Sequence, residues 1–260
     1  MTTSSTQSVR EQFGAVAAAY AVSAYHAKGP DLAAMIAAAG LTGVERVLDM
    51  GCGAGHSAIA AAARAAHVTA LDVTPEMLEV AAGLATERGL TNMTFQQGDV
   101  SALPFADESF EVVTSRVSAH HYADPASALA EAFRVLRPGG RFLLVDTIVP
   151  EDATLDTFAN CFELLRDSSH VRNWRATEWL RMLKSSGFEP TLLDRYVIRL
   201  EGANWVERMR TPANKVAMLR ALFREANPAI RAAFEVQDDP WMFSIPSALF
   251  SATKGSEPRP

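Results

Sequence analysis

The run Val47-Leu48-Asp49-Met50-Gly51-Cys52-Gly53-Ala54-Gly55 constrains this chain more than any other segment. It joins a short apolar strand to a helix through a turn with three alternate glycines. Glycine lacks the Cβ that blocks close approach and adopts positive φ, so peptide N–H groups and the first turn of the next helix face whatever lies there. A dinucleotide-binding turn needs its third glycine one place later, where this chain has His56, so a pyrophosphate is not the natural guest. Asp49, two places before the first glycine, repels a phosphate and attracts an ammonium. A ligand with both an amino group and a carboxylate answers that pattern.

Two further strand ends continue it. His67-Val68-Thr69-Ala70-Leu71-Asp72 reads as a buried strand ending in an acid, placed to accept from both hydroxyls of a ribose. Met93-Thr94-Phe95-Gln96-Gln97-Gly98-Asp99-Val100 leaves Asp99 at a third strand end, where it can accept from an exocyclic amine such as that of adenine. Amino acid, ribose and adenine are the three parts of S-adenosylmethionine. Asp49 and Asp72 are also residue types that cap helices without any ligand, and Cys52 reads as a small filler with nothing nearby to activate a thiolate.

With these pieces in register, the chain resembles a class I S-adenosylmethionine-dependent methyltransferase, of the branch that includes the ubiquinone and menaquinone C-methyltransferases. The resemblance rests on Val47 to Gly55, on Ala70-Leu71-Asp72-Val73-Thr74-Pro75-Glu76-Met77-Leu78, and on Gly98-Asp99-Val100-Ser101-Ala102-Leu103-Pro104-Phe105. Phe110-Glu111-Val112-Val113 and Leu136-Arg137-Pro138-Gly139-Gly140-Arg141-Phe142 complete it, over residues 45–150. It implies S-adenosyl-L-methionine as cofactor, touched by Tyr20, Asp49, Gly51, Cys52, Gly53, Asp72, Val73, Met77, Asp99, Val100, Ser115 and Arg116. It also implies that the sheet ends in an antiparallel hairpin of a sixth and a seventh strand.

The 260 residues, 48% apolar, suffice for one large domain with an elaboration. A net charge of −6 argues against nucleic acid as the main partner, because phosphate binding relies on clustered Lys and Arg. Two cysteines make neither a disulfide framework nor a zinc site, and they leave no relay for an arsenic or thiol acceptor; a reducing cytoplasm is the expected compartment. No stretch reads as a signal peptide or membrane span. A monomer or homodimer is expected.

Along the chain, residues 1–8 read as a disordered tail, 9–44 as a helical lid, 45–150 as the cofactor-binding core, and 255–260 as a second tail. Helices are expected at 10–27, 30–39, 55–65, 75–88 and 125–136, and strands at 45–49, 67–71, 93–96, 110–114 and 140–146. This alternation predicts an α/β fold, Rossmann-like and doubly wound, with a mostly parallel seven-stranded sheet and helices on both faces. In 151–254 helices at 152–166 and 177–186 precede an extended segment at 188–200 and a last strand at 247–253. Between the last two, 203–235 reads as an inserted helical pair, so 151–186 and 203–235 form an added helical cap over the acceptor.

Methyl transfer from a sulfonium is an in-line displacement, so the protein must position the acceptor and exclude water. After the fourth strand come His120 and His121, where related methyltransferases carry a similar pair; either can act as a general base near neutral pH. Either can also cap a helix or fill space, and no carboxylate or cysteine at ligand spacing points to a metal. The lid carries Phe13, Tyr20, Ser23, Tyr25 and His26, with Tyr20 chosen for a cation–π contact to the sulfonium. Phe158, Phe162, His170, Arg172, Trp174, Trp205 and Met209 sketch an apolar acceptor pocket in which His170 and Arg172 hold an anionic or phenolic end. The same aromatic residues equally serve plain packing. The reading is a methyltransferase for O, N or activated C of a small apolar or aromatic metabolite. The alternatives are a non-catalytic binder of the cofactor and an enzyme of this fold with other chemistry.

Overall fold

The computed structural model describes residues 5–256, apart from the side chains of Ser5, Ala24 and Tyr25. Residues 1–4 and 257–260, most of the expected tails, lie outside the described residues, as does the Tyr25 side chain. The strands Arg46–Met50 (β1), His67–Asp72 (β2) and Phe110–Arg116 (β4) are buried almost throughout, while Met93–Gln97 (β3) is mostly part-exposed. Strands apolar on both faces need helices on both sides. Leu136–Val149 (β5), Trp174–Arg175 (β6), Glu189–Glu201 (β7), Gln237–Asp238 (β8) and Trp241–Thr253 (β9) complete the sheet.

Its order is β3-β2-β1-β4-β5-β9-β7, with β6 and β8 as two-residue additions off that path. The strands from β3 to β5 run parallel, and β9 runs antiparallel to both β5 and β7. The expected seven long strands and closing hairpin are present. The strand expected at 140–146 begins earlier, at Leu136, and Pro138-Gly139-Gly140 is a bulge inside it: Phe110 pairs with Leu136, and pairing resumes at Val112 with Arg141.

Helices Pro30–Ala39 (α4) and His56–Ala62 (α5) cover one face, against Val47, Val68 and Leu143. Pro125–Val135 (α7) and Ala176–Ser185 (α9) cover the other, around Phe142, Trp179 and Phe250. Pro75–Glu87 (α6) packs against β2 and β3.

Two segments differ from the sequence reading. The helix expected at 10–27 is three short ones, Ser5–Gly14 (α1), Ala17–Ala21 (α2) and Ala24–Lys28 (α3). A break near Gly14 and another at Ser23, whose hydroxyl bonds His26 Nδ1 at 2.7 Å, turn Phe13, Tyr20 and His26 towards one cleft. Residues 5–8, expected in the tail, belong to α1, held where Thr6 Oγ1 donates to Asp99 at 3.0 Å. The inserted pair is likewise three helices, Gly202–Arg208 (α10), Ala213–Arg224 (α11) and Pro228–Ala233 (α12). Glu201 caps the first and Asn227, followed by Pro228, starts the last. With Ala153–Arg166 (α8) these helices enclose an aromatic core of their own, including Phe158, Phe162, Phe223, Phe234 and Phe243.

Gly55 sets the approach of α5 to α6. Its φ is +82°, and a Cβ there would stand 2.7 Å from the Ala81 Cβ. Gly55→Ala is expected to lower the unfolding free energy by about 2–4 kcal/mol, combining left-handed strain with overpacking. Gly53→Ala, where a Cβ meets nothing within 4 Å, carries only the strain. Urea titration of both variants checks the difference, and equal losses would contradict the close approach.

Candidate active site

A cleft of about 1120 Å³, its open mouth included, lies across the carboxyl ends of the parallel strands with α1 and α2 as one wall. Gly51, Cys52 and Gly53 form its floor, and the backbone at Gly53 (φ +51°) faces open space. Asp72 takes the Gly53 N–H at 2.8 Å on one oxygen and the Thr74 N–H at 2.9 Å on the other. Burial pushes its pKa up against those bonds. Asp99 accepts from Ser101 N, Ser101 Oγ and Thr6 Oγ1; burial opposes ionisation there, but these bonds hold its pKa below the usual value. Tyr20, Val73, Met77, Val100 and Arg116 also line the cleft.

Asp49 and Ser115, expected to touch the cofactor, stand behind the cleft wall. Asp49 faces the neighbouring strand: it pairs in register with Thr114, whose Oγ1 donates to its carboxylate at 2.7 Å. Only 1% exposed, it has its pKa pushed up to about 7 by burial, with the Thr114 bond working against that. Ser115 Oγ lies 2.9 Å from the Tyr122 hydroxyl, which donates to the Met50 carbonyl at 3.2 Å. The two residues brace the glycine turn from behind. Arg116 pairs with buried Asp31 at 2.6 Å and donates to the His26 carbonyl at 2.8 Å, tying the lid to the end of β4.

A second cavity, about 550 Å³ with its mouth included, shares Phe13, Tyr20, His26, Val117 and His121 with the first. Between β4 and the short turn Ala119–His121, Val117 sits at φ +53°, a strained conformation for a β-branched residue. That bend presents both histidines to the shared region. His120 Nδ1 lies 2.7 Å from Asp146 Oδ1, and its backbone N–H donates to Asp146 Oδ2 at 2.8 Å. Burial disfavours the imidazolium, but fully buried Asp146 more than offsets this and raises the His120 pKa. Burial and the neighbouring His120 push His121 down to about 4, so it stays neutral, with its ring edge-on to Phe13.

Of the expected acceptor residues, Trp205 lines this cavity. Phe158 and Phe162 pack into the cap's core, because the apolar face of α8 turns to the other cap helices. His170 bonds Asn160 at 3.1 Å, and burial drops its pKa to about 2. Arg172 pairs with Asp156 at 2.8 Å and lies over the Trp174 ring, so both are engaged with each other or with the protein. Met209 lines a separate crevice, its carbonyl accepting from Gln12. The loop holding His170 supports the histidines instead: Val171 and Arg172 N–H groups donate to the His120 carbonyl, and the Ser169 carbonyl faces His121 Nδ1.

Among known proteins, the methyltransferase-domain family profile matches residues 48–144. The uncharacterized methyltransferase YcgJ of Bacillus subtilis is 39% identical over 208 residues, 80% of this chain and 82% of that protein. The chain belongs to the class I S-adenosylmethionine-dependent methyltransferases. The crystal structure of YcgJ superposes with a TM-score of 0.84 at 36% identity, covering 87% of this chain and 99% of that one. YafE of Escherichia coli, also uncharacterized, is 39% identical over 185 residues, 71% of this chain and 89% of that protein.

The cofactor of this methyltransferase is S-adenosylmethionine. The cleft fits it: an open glycine floor at one end and two carboxylates, Asp72 and Asp99, along its length. Among the described residues no helix is long and apolar enough to cross a membrane, and no three His, Cys, Asp or Glu side chains converge as metal ligands. Asp146, Glu163 and Arg208 are not among the residues expected in the site. The signal for Asp146 was present, since Leu143-Leu144-Val145-Asp146 repeats the apolar run ending in an acid seen in β1 and β2.

The raised pKa of Asp49 has a signed consequence. The folded state holds this proton more tightly than the unfolded chain, so ionising Asp49 costs stability as pH rises from the ordinary aspartate value of 3.8 towards about 7. Asp49→Asn is expected to gain stability relative to the parent protein across that window. The depressed histidines act in the opposite sense but cancel in the difference. Chemical unfolding of both proteins between pH 4 and pH 8 measures it, and a pH-independent difference would contradict the buried acid.

Proposed function

We infer that this methyltransferase moves the methyl group onto a small molecule held in the second cavity, at an atom that loses a proton to His120. The observation that carries this is the His120–Asp146 pair in a cavity that shares a wall with the cofactor cleft. Asp146 takes Nδ1–H, which fixes the tautomer and leaves Nε2 as the basic nitrogen.

When bound, S-adenosylmethionine supplies an electrophilic methyl group on a positively charged sulfur. The glycine turn would hold its amino-acid end, Asp72 would accept from the ribose hydroxyls, and Asp99 would accept from the adenine amine. Tyr20, which lines both cavities, would present its ring to the sulfonium. His120 Nε2 takes the proton of the acceptor O–H, N–H or acidic C–H as that atom bonds to the methyl carbon. The S–CH3 electron pair would remain on sulfur, so that S-adenosylhomocysteine is the leaving group. Neutral His121 and Phe13 close the junction against water, which would compete for the methyl and weaken every charge interaction there.

Asp72→Ala is expected to weaken S-adenosylhomocysteine binding by about 2–3 kcal/mol, the worth of hydrogen bonds to a charged group. Titration calorimetry reads this, and unchanged affinity would remove Asp72 from the site. His120→Ala is expected to cut turnover by about 10²-fold or more while sparing cofactor affinity. Release of S-adenosylhomocysteine with a panel of phenols, amines and hydroxy acids is the assay. In the parent protein the rate rises with pH as His120 loses its proton, above the ordinary histidine range. Asp146→Asn moves that limb to lower pH, because the carboxylate that raises the pKa is gone; an unmoved limb would assign it to another group.

A further inference from the structure

The second cavity has an unusual charge inventory for a space walled by Ile198, Leu200, Trp205 and Ile245. Glu163, Arg166 and Arg208 all line it. Arg166 is only 9% exposed; its Nε donates to the Trp205 carbonyl at 3.1 Å, and its guanidinium lies 4.8 Å from the Trp205 ring centre. Those contacts leave Nη2 buried and, among the described residues, without a hydrogen-bond partner. Glu163 stands 4.0 Å from Arg166 Nη1, beyond hydrogen-bond reach. Arg208 lies 5.8 Å from the Tyr20 ring centre, and its Nε is likewise buried and unpartnered among the described residues.

The other nearby carboxylates are committed elsewhere. Asp146 serves His120 and the Thr147 N–H, and Asp167 accepts from Ser169 N and Oγ beside His121. Two guanidiniums therefore face one carboxylate, Glu163, in a largely desolvated space. Buried cations without anionic partners are costly, and the cost is recovered when a ligand supplies the anion. A sulfonium brought to the shared wall adds a further positive charge.

The geometry points to an acceptor that carries a carboxylate, held by the guanidiniums of Arg166 and Arg208, with an apolar body against Ile198, Leu200, Trp205 and Ile245. The lining guanidiniums outnumber the single lining carboxylate, which favours an anionic ligand, and the planar guanidinium suits a carboxylate. The acceptor class is a small aromatic or alicyclic acid with a separate nucleophilic atom at His120. This rests on the second cavity being the acceptor site, as in the proposed function.

The test is binding to the protein saturated with S-adenosylhomocysteine, read by ligand-observed NMR. The probes are benzoate, phenylacetate and indole-3-acetate, each beside its primary amide. At least one acid is expected to bind saturably and about tenfold tighter than its amide, the discrimination of one charge-assisted contact. Arg208→Gln is expected to bring that acid down to the affinity of its amide while leaving amide binding in place. Arg166→Gln is the second arm, used if the first variant loses its melting transition. The inference is overturned if no acid outbinds its amide, or if the preference survives in both variants. Turnover is read separately. His120-dependent release of S-adenosylhomocysteine from uncharged acceptors, without acid preference, sinks the carboxylate site alone; acid preference without turnover from any acceptor sinks the catalytic reading alone.

Discussion

Parallel strands that stop at one edge of the sheet are the constraint on which both cavities depend. Their registers put Asp49, Asp72, Arg116 and Asp146 at that edge, each no more than 8% exposed. A buried charge needs a partner or must give up its charge. Asp72 is satisfied by backbone N–H groups of the turns it stands beside. Arg116 is paired with Asp31, and Asp146 with His120. Asp49 takes the other course, holding its proton to about pH 7. One sheet edge thus supplies an acid at the cofactor cleft, an anchor for the amino-terminal helices, a carboxylate paired with a histidine and a structural acid, and the difference lies in who answers each charge.

The lid is bonded to both halves of the site. Thr6 reaches Asp99 on the cofactor side, and Gln12 reaches the Met209 carbonyl on the cap side. His56 Nε2 lies 3.0 Å from the Tyr20 carbonyl, and the His26 carbonyl accepts from Arg116. These are polar contacts, and the apolar cluster beneath them is small, comprising Ala17, Ala54 and Met77 with Phe13, Tyr20 and Val80 against it. Few buried apolar contacts give a segment low local stability, which is what a cover over an exchangeable ligand needs.

The cofactor half was legible because local turn chemistry fixes it. Glycine at Gly51, Gly53 and Gly55 and acids at strand ends declare themselves within a few residues, and the structure puts Asp72 and Asp99 at the cleft. The acceptor half was not, because it is assembled from tertiary contacts. Phe158 and Phe162 look like pocket residues in a sequence, yet an apolar helix face seeks the larger apolar mass, here the cap's own core. His170 and Arg172 form a conspicuous polar cluster, but Asn160 and Asp156 satisfy them locally. His120 finds Asp146 across 26 positions, and Arg208 reaches the cavity through the packing of α10, which no local pattern in the chain announces.

Helix α8 makes the logic of the cap explicit. Its aromatic face points away from the cavity and its charged face, Glu163 and Arg166, points into it, the reverse of a helix whose task is to fill space. Apolar side chains of similar volume at those positions would satisfy packing at less cost, since replacing buried ion pairs by hydrophobes is often neutral or stabilising by about 1–4 kcal/mol. Stability therefore does not account for a charged floor under an apolar roof. Recognition does: desolvated guanidiniums in a low-dielectric cavity interact with an anion far more strongly than they would in water, and they hold it in a fixed direction relative to His120. Under the proposed function, the cap trades folding energy for orientation at the place where the direction of attack on a methyl group decides the rate.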